Sequence, residues 1–392
     1  MKALAGITIV TLEHAIAAPF ATRQLADLGA RVIKIERPEV GDFARAYDER
    51  VQGLSSHFVW ANRSKESICL DVKNEEAQHI LSRLILEEAD VLVQNLAPGA
   101  AARLGLSYEI LSAKKPSLIV CDISGYGNDG PYRDKKAYDL LIQSESGFLS
   151  VTGTQDEPSK AGPSIADIAA GMYAYTNILS AILERNKTGQ GKHIDISMLE
   201  SLVEWMSFPL YFSYAGAVPP ARSGANHATI YPYGSFPTGD GKTVIFGLQN
   251  EREWSAFCSK VLCLPGLALD PRFVTNSKRS EARIELRKII LTVFAKLTAA
   301  QVIDLLDSAQ IANAKLNDMH EVWAHPQLVA RQRWHEVDSP SGKLPALLPP
   351  GAKAQEVRMD AIPALGEHTA QILSELGYTA EKIEALREAQ AI

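Results

Sequence analysis

The feature that most constrains this chain is the alternation of short apolar runs with amphipathic stretches across its first 200 residues. Gly6-Ile-Thr-Ile-Val10 has the character of a strand, and residues 19–28 carry apolar side chains at helical spacing, closed by Gly29. Arg31-Val-Ile-Lys-Ile-Glu36 forms a second strand. A helix over about 75–88, a strand at Val91-Leu-Val93 and another at Ser117-Leu-Ile-Val-Cys-Asp122 follow. This spacing predicts βαβ units, and therefore a mainly parallel sheet covered by helices. All strand C-termini of such a sheet share one edge, which is where ligands bind. Beyond it lie a long helical stretch at 164–185, ended by Thr188-Gly-Gln-Gly191, and a strand at Gly191-Lys-His-Ile-Asp-Ile196. Residues 199–214 are apolar enough to form a buried helix.

A chain of 392 residues exceeds the usual single domain, and near Val218 the character changes. Pro219-Pro220, Ser223-Gly224 and Tyr231-Pro-Tyr-Gly234 make a turn-rich passage into the strand Thr243-Val-Ile-Phe246, with helices at about 251–263, 280–297 and 299–309. The expected organisation is α/β. Residues 1–215 form the first part of a large, Rossmann-like domain with a mainly parallel sheet, and 225–325 form a smaller α+β domain. Residues 326–392 form a linker, with Pro340, Pro345, Pro349 and Pro350 in an extended arm. Its two terminal helices, near 367–376 and 379–389, return to the large domain.

Composition narrows the function classes. A net charge of −6 disfavours nucleic acid or an anionic membrane surface as the main partner. No run approaches the roughly 18 apolar residues of a membrane span. The opening MKALAGITIVTLEH lacks the pattern of a signal peptide. Cys69, Cys121, Cys258 and Cys263 form no CxxC pair, which fits free thiols in a reducing compartment, and a cytoplasmic location is expected. There is no P-loop and no G-x-S-x-G elbow. His320 and His325 are five apart, wrong for a helical metal pair, so no metal is expected. Gly125-Tyr-Gly-Asn-Asp-Gly130 follows a strand, yet Pro131 comes next and no acid stands about 20 residues on. Neither a nicotinamide nor a flavin is expected, and the segment reads as a flexible glycine loop near a site.

One carboxylate stands out. Asp167 lies among Ile165, Ala166, Ile168, Ala169, Ala170 and Gly171 near a helix start. Two explanations are open. Ser164 and Asp167 have the spacing of a capping box, with the acid favoured at the positive helix end. Alternatively, the small residues leave a bare helix surface on which a thioester could approach a nucleophilic carboxylate. Cations recur at the ends of the early elements: Arg37, Lys73, Arg103 and Lys136. Gathered along one sheet edge they would suit phosphate groups.

The ordered motifs resemble those of class III CoA-transferases, the formyl-CoA transferase and carnitine CoA-transferase group. They are Gly6-Ile-Thr-Ile-Val-Thr-Leu-Glu-His14 with Pro19, Val32-Ile-Lys-Ile-Glu-Arg-Pro38, Asn62-Arg-Ser-Lys65, Ile68-Cys-Leu-Asp-Val-Lys73, Asn95-Leu-Ala-Pro-Gly99, Arg103-Leu-Gly-Leu106, Gly125–Pro131, Ala137-Tyr-Asp139, the Asp167 segment and Thr188–Met198. The resemblance implies that Asp167 is the nucleophile that becomes an aspartyl-CoA thioester. It also implies that His14, Ile16, Arg37, Leu70, Lys73, Asn95, Arg103, Lys136, Tyr138 and Met198 line the site for coenzyme A, which enters as an acyl-CoA substrate. The same resemblance implies an interlocked homodimer.

Two departures narrow the substrates. The glycine run of formyl-CoA transferases is replaced here by Phe246-Gly-Leu-Gln-Asn-Glu-Arg-Glu-Trp254, which disfavours oxalate and formate. Tyr138 stands where related racemases carry a histidine. Gly41-Asp-Phe-Ala-Arg45, Ser55–Asn62 and Gln249–Trp254 look most like the subgroup acting on small dicarboxylic acids: itaconate, mesaconate, malate or citramalate, and glutarate, with succinyl-CoA as donor. Arg45, Arg222, His227 and Arg252 are the candidate partners of the unreacted carboxylate. The alternatives are an isomerase that migrates CoA within one molecule or epimerises an α-carbon, and a non-catalytic acyl-CoA-binding subunit.

Overall fold

The computed structural model describes residues 2–392, which divide into two compact units. The first unites 2–148, 161–207 and 328–392, and the second 149–160 and 208–327.

The first unit is built on a six-stranded sheet of β1 (Thr8–Leu12), β2 (Arg31–Glu36), β3 (Glu66–Cys69), β4 (Val91–Gln94), β5 (Ile119–Ser124) and β6 (His193–Ser197). The order is β3-β2-β1-β4-β5-β6 and every neighbouring pair is parallel. The chain runs outward from β1 to β3, then crosses to β4 on the other side of β1. The switch in direction opens a crevice between the C-terminal ends of β1 and β4.

Both faces of the sheet are covered, which is why the central strands β1 and β4 are mostly apolar rather than strictly alternating. Ile9 of β1 joins the core beneath α1 (Ala17–Asp27) and the long helix Ile165–Thr188. Its neighbour Val10 joins the opposite core, with Ile80 and Leu81 of the helix Glu75–Arg83 and Ile372, Leu373 and Ile383 of the C-terminal helices.

The small residues of the long helix are used differently from the sequence expectation. Ala166, Ala169, Ala170 and Ala174 are fully buried, and a Cβ on Gly171 would stand 2.7 Å from the Ala17 carbonyl oxygen and 2.9 Å from the Phe20 ring. They bring two helix backbones together and leave no bare surface for substrate. Gly171→Val should therefore destabilise the protein by about 2–3 kcal/mol through overpacking against backbone that cannot yield, read as a fall in Tm.

Two further expectations change. The helix begun at Met198 ends at Met206, because Ser207 turns left-handed (φ 45°) and Pro209 follows. Phe208, Tyr211 and Tyr214 are exposed rather than buried. Within 338–354 the expected arm contains a hairpin strand: β10 (Trp334–Val337) pairs antiparallel with β11 (Leu344–Leu347). Pro345 is accommodated because a two-stranded ribbon leaves each strand one free edge.

The second unit carries an antiparallel sheet ordered β7 (Tyr233–Pro237), β8 (Thr243–Gly247), β9 (Asn313–Lys315). Phe236, Phe246, Trp254, Phe257 and Phe294 fill its core with the helices that follow.

Candidate active site

The loops that leave the C-terminal ends of β1 to β6 hold most of the residues singled out in the sequence. His14 and Ile16 follow β1, Arg37 follows β2, Leu70 and Lys73 follow β3, and Asn95 and Arg103 follow β4. Lys136 and Tyr138 follow β5, and Met198 follows β6. His14 and Asn95 meet at the switch point: the His14 N–H donates to Asn95 Oδ1 (2.9 Å), and Asn95 Nδ2 donates to the His14 carbonyl (2.9 Å). Arg37, Lys73, Arg103 and Lys136 are all exposed along this edge, and the Arg37 guanidinium lies 4.7 Å over the Phe43 ring. Leu70 and Met198, in contrast, are core side chains, so what they present at the edge is backbone. Ile16 is buried as well.

Asp167 occupies the first turn of the long helix, half-buried. The capping box does not form: Ser164 makes no side-chain cap bond. The Ala166 N–H is instead taken by Asp139 Oδ1 (2.8 Å), whose other oxygen accepts from Gln143 Nε2 (2.6 Å). With the Ala166 N–H capped by a carboxylate 27 residues back, the Asp167 carboxyl is released from that task. Burial raises its pKa and the Asp139 charge raises it further, while the Ala17 N–H at the start of α1 lowers it in part; the result is about 7. Tyr47 is the next titratable group, its own hydroxyl pushed up by burial and by the Asp42, Asp167 and Tyr138 charges. A carboxylate poised near neutral pH in this crevice is equipped for nucleophilic or proton-transfer chemistry.

Beneath the β1–α1 loop lies a buried ionic network that the sequence did not reveal. Glu13 Oε1 accepts from Lys65 Nζ (2.6 Å) and Lys34 Nζ (3.2 Å), and Oε2 accepts from the Thr22 (2.6 Å) and Thr11 (2.9 Å) hydroxyls. Lys34 also binds Asp42 Oδ2 (2.7 Å). Burial pushes Glu13 up, but Lys34, Lys65 and the hydroxyl donors bring it down to about 2. Alternating apolar and charged residues in Thr11–Glu13 and Val32–Glu36 were the available signal, masked because each charge sits inside a strand-like run.

A second cluster holds the Asn95 loop. His193 Nε2 lies 2.7 Å from Asp122 Oδ2, and Gln94 Nε2 donates to Asp122 Oδ1 (2.8 Å). The Leu96 N–H donates to Gln94 Oε1 (2.7 Å), and Tyr108 stacks on His193.

The four candidate carboxylate partners fare differently. Arg45 is committed: it forms a bidentate pair with buried Glu36 (2.9 and 2.7 Å), and its guanidinium lies 3.7 Å over the Phe58 ring. That removes it as a free cation. In the second unit, Arg222 is spent on the Thr154 and Gln155 carbonyls (2.7 and 2.8 Å). His227 Nδ1 accepts from the Ile230 (3.0 Å) and Thr229 (3.2 Å) N–H groups. Arg252 alone of the four is exposed; around it Asn250 caps the helix Glu251–Ala256, Glu251 pairs with Arg279 and Trp254 is core.

Comparison with known proteins gives the family and the fold. A family model described as CoA-transferase family III matches residues 4–369. The succinyl-CoA:glutarate CoA-transferase of Mus musculus is 35% identical over 393 residues, covering 98% of this chain and 89% of that protein. The acetyl-CoA:oxalate CoA-transferase of Acetobacter aceti is 36% identical over 328 residues, 83% of this chain and 84% of that one. Among solved structures, a CAIB/BAIF family protein from Brucella suis superimposes with a TM-score of 0.86 at 33% identity, covering 96% of this chain and 99% of that one.

Proposed function

The chain belongs to CoA-transferase family III, and from that membership we propose that it moves CoA from succinyl-CoA to a small dicarboxylic acid through a covalent thioester on Asp167. The observation that carries the assignment of the nucleophile is the Asp167 carboxyl itself. It is freed from helix capping by Asp139, poised near pH 7 and set at the sheet's switch point beside the Ala17 N–H.

In this scheme an Asp167 oxygen attacks the thioester carbonyl and the CoA thiolate leaves, giving a mixed anhydride. The thiolate then attacks the aspartyl carbonyl, releasing succinate and forming the aspartyl thioester. The acceptor carboxylate reverses both steps and carries CoA away. Splitting the exchange this way replaces one difficult displacement with easier ones. Arg37, Lys73, Arg103 and Lys136 would hold the phosphates of CoA by charge-assisted hydrogen bonds. Arg37→Ala and Arg103→Ala should each raise KM for acyl-CoA by roughly tenfold with kcat little changed, as expected for loss of one such bond to a charged group.

Glutarate, itaconate, mesaconate, malate and citramalate are the proposed acceptors. The relative named for oxalate keeps that acid in the panel, against the expectation from the missing glycine run. The test offers each acid with succinyl-CoA and reads new acyl-CoA species by mass. Succinyl-CoA turned over with none of them, or CoA migrating without any free acceptor, would overturn the reading. We further propose a homodimer, supported by the exposed apolar side chains Phe208, Tyr211, Tyr214 and Val218; light scattering returning a monomer would refute it.

A further inference from the structure

Asp42 makes more contacts than its local role requires. It caps the short turn Phe43–Ala46, with Oδ1 accepting from the Ala44 N–H at 2.9 Å. A cap needs no more than that. The same Oδ1 also accepts from the Ala15 N–H at 2.9 Å, and Oδ2 is held by Lys34 Nζ at 2.7 Å, with both side chains wholly buried. Ala15 needs such a hold, because its φ of 62° is a left-handed conformation that costs an alanine roughly 1 kcal/mol or more. Two residues on, the Ala17 N–H is the backbone donor that faces the Asp167 carboxyl. Lys34 is itself pinned to Glu13, so the anchor is rigid from β2 to the loop.

We propose that Asp42, clamped by Lys34, is a positioning residue for the transfer reaction: by fixing Ala15 in its left-handed turn it aims the Ala17 N–H at the nucleophile. The inference rests on Asp167 being that nucleophile. It adds that the orientation of Asp167 is set from the β1–α1 loop as well as from its own helix.

The charged and titratable groups around this path come from several elements. Asp139 faces Asp167 from the helix that starts there, and Tyr47, itself near Tyr138, faces it from the loop after β2. Glu13, Lys34, Glu36, Lys65 and the half-buried His14, whose Nδ1 lies 4.0 Å from Asp42 Oδ1, surround Asp42. Asp42→Asn leaves each of these residues in place and keeps the shape, but it puts an amide donor opposite Lys34 or the two N–H groups and removes the charge that acts to raise the pKa of Lys34, His14 and Tyr47.

The experiment compares Asp42→Asn with Asp27→Asn in the full-length enzyme. Asp27 is equally buried, ends the same helix α1 and is bound by Arg23 and Arg63 (2.7 Å each), so it controls for loss of a buried ion. Each is read by Tm, by kcat and KM for succinyl-CoA across pH, and by the single-turnover rate of adduct formation on the Asp167 peptide. The expected result is that Asp42→Asn lowers kcat and the adduct rate by roughly tenfold or more. KM should stay within about threefold, and the pH at which activity rises should move upward, since a donor that favours the carboxylate is misplaced. Asp27→Asn should lose stability and leave that pH unchanged. If Asp42→Asn behaves as Asp27→Asn does, the inference is overturned. If Asp42→Asn does not fold, Lys34→Gln, which keeps a donor for Asp42 while removing the clamp's charge, is read the same way. An unmoved pH profile there overturns the inference equally. Adduct forming at equal rates in wild type and Asp42→Asn defeats this inference alone. Absence of adduct in the wild type defeats the Asp167 reading beneath it.

Discussion

Asp167→Asn should abolish CoA exchange and, at pH 8, make the protein more stable. The first effect follows from removing the proposed nucleophile and should reach on the order of 10⁴ or more in kcat, as for other covalent catalysts. The second follows from linkage. The folded-state pKa is raised to about 7 from the ordinary 3.8 of an aspartate. Such a carboxyl contributes its full share to stability below about pH 4, where both states hold the proton. The contribution is lost as pH rises through 7, because the folded protein must then keep a charge in a place that disfavours it. Asparagine never ionises, so the variant avoids that loss. Three pKa units correspond to about 4 kcal/mol, and solvent around a half-buried group reduces this to about 1–2 kcal/mol. The Tm of Asp167→Asn should exceed that of wild type by a few degrees at pH 8 and equal it near pH 4. Wild-type turnover should rise with pH through about 7. Near-normal exchange by the variant would remove Asp167 from the mechanism, and a Tm difference that does not depend on pH would refute its raised pKa.

What could be read from the sequence depended on the range of the interaction. The parallel sheet and its covering helices were legible because β1, β2 and β4 are short, mostly apolar runs separated by amphipathic segments. The edge carrying Arg37, Lys73, Arg103 and Lys136 followed from parallel topology, whereas His14 and Asn95 came only from the family resemblance. The role of Asp167 did not follow from its neighbours. Ser164 and Asp167 have the spacing of a capping box, and only the fold brings Asp139 to the helix end in its place. The alanines and Gly171 were misread for a related reason. A run of small residues signals close approach without saying what approaches, and here it is α1. Arg45 was misassigned because nothing local shows that Glu36, nine residues earlier, turns inward to meet it.

The candidate site and the core share residues, so function and stability are coupled at this edge. The loop carrying His14 and Ala15 runs directly over the ionic network, and Glu13 is the last residue before it. The strands that end there bury Lys34 and Glu36 as well as their apolar residues. A sheet edge built this way holds its loops from below through fixed charges, at the risk that one lost partner leaves an ion stranded.

Glu13→Ala shows the size of that risk. The substitution leaves Lys65 and Lys34 without the carboxylate they share; Lys34 retains Asp42, but Lys65 keeps only the Pro19 carbonyl and Asn62 Oδ1 (3.0 Å each). Removing one partner of a buried ion pair typically costs about 3–5 kcal/mol, a large part of the stability of a domain. The pH dependence separates this from a simple cavity. Burial already draws Lys65 down to about 7 against the pull of Glu13, and without Glu13 it falls lower still. A lysine whose folded pKa lies below its unfolded one penalises folding most at low pH, and the penalty shrinks as pH climbs from the folded value toward 10.5. The Tm deficit of Glu13→Ala should therefore be greatest near pH 6 and smaller at pH 9. Wild type should show the opposite sensitivity in acid. Glu13 and Glu36, both held at about 2, supply stability present above about pH 4.5 and lost as pH falls toward 2. Glu13→Ala should lose the Glu13 share of that acid transition, about 3 kcal/mol for a shift of this size. A Tm deficit that is the same from pH 6 to pH 9 would mean that the variant suffers from lost packing rather than from a stranded ammonium.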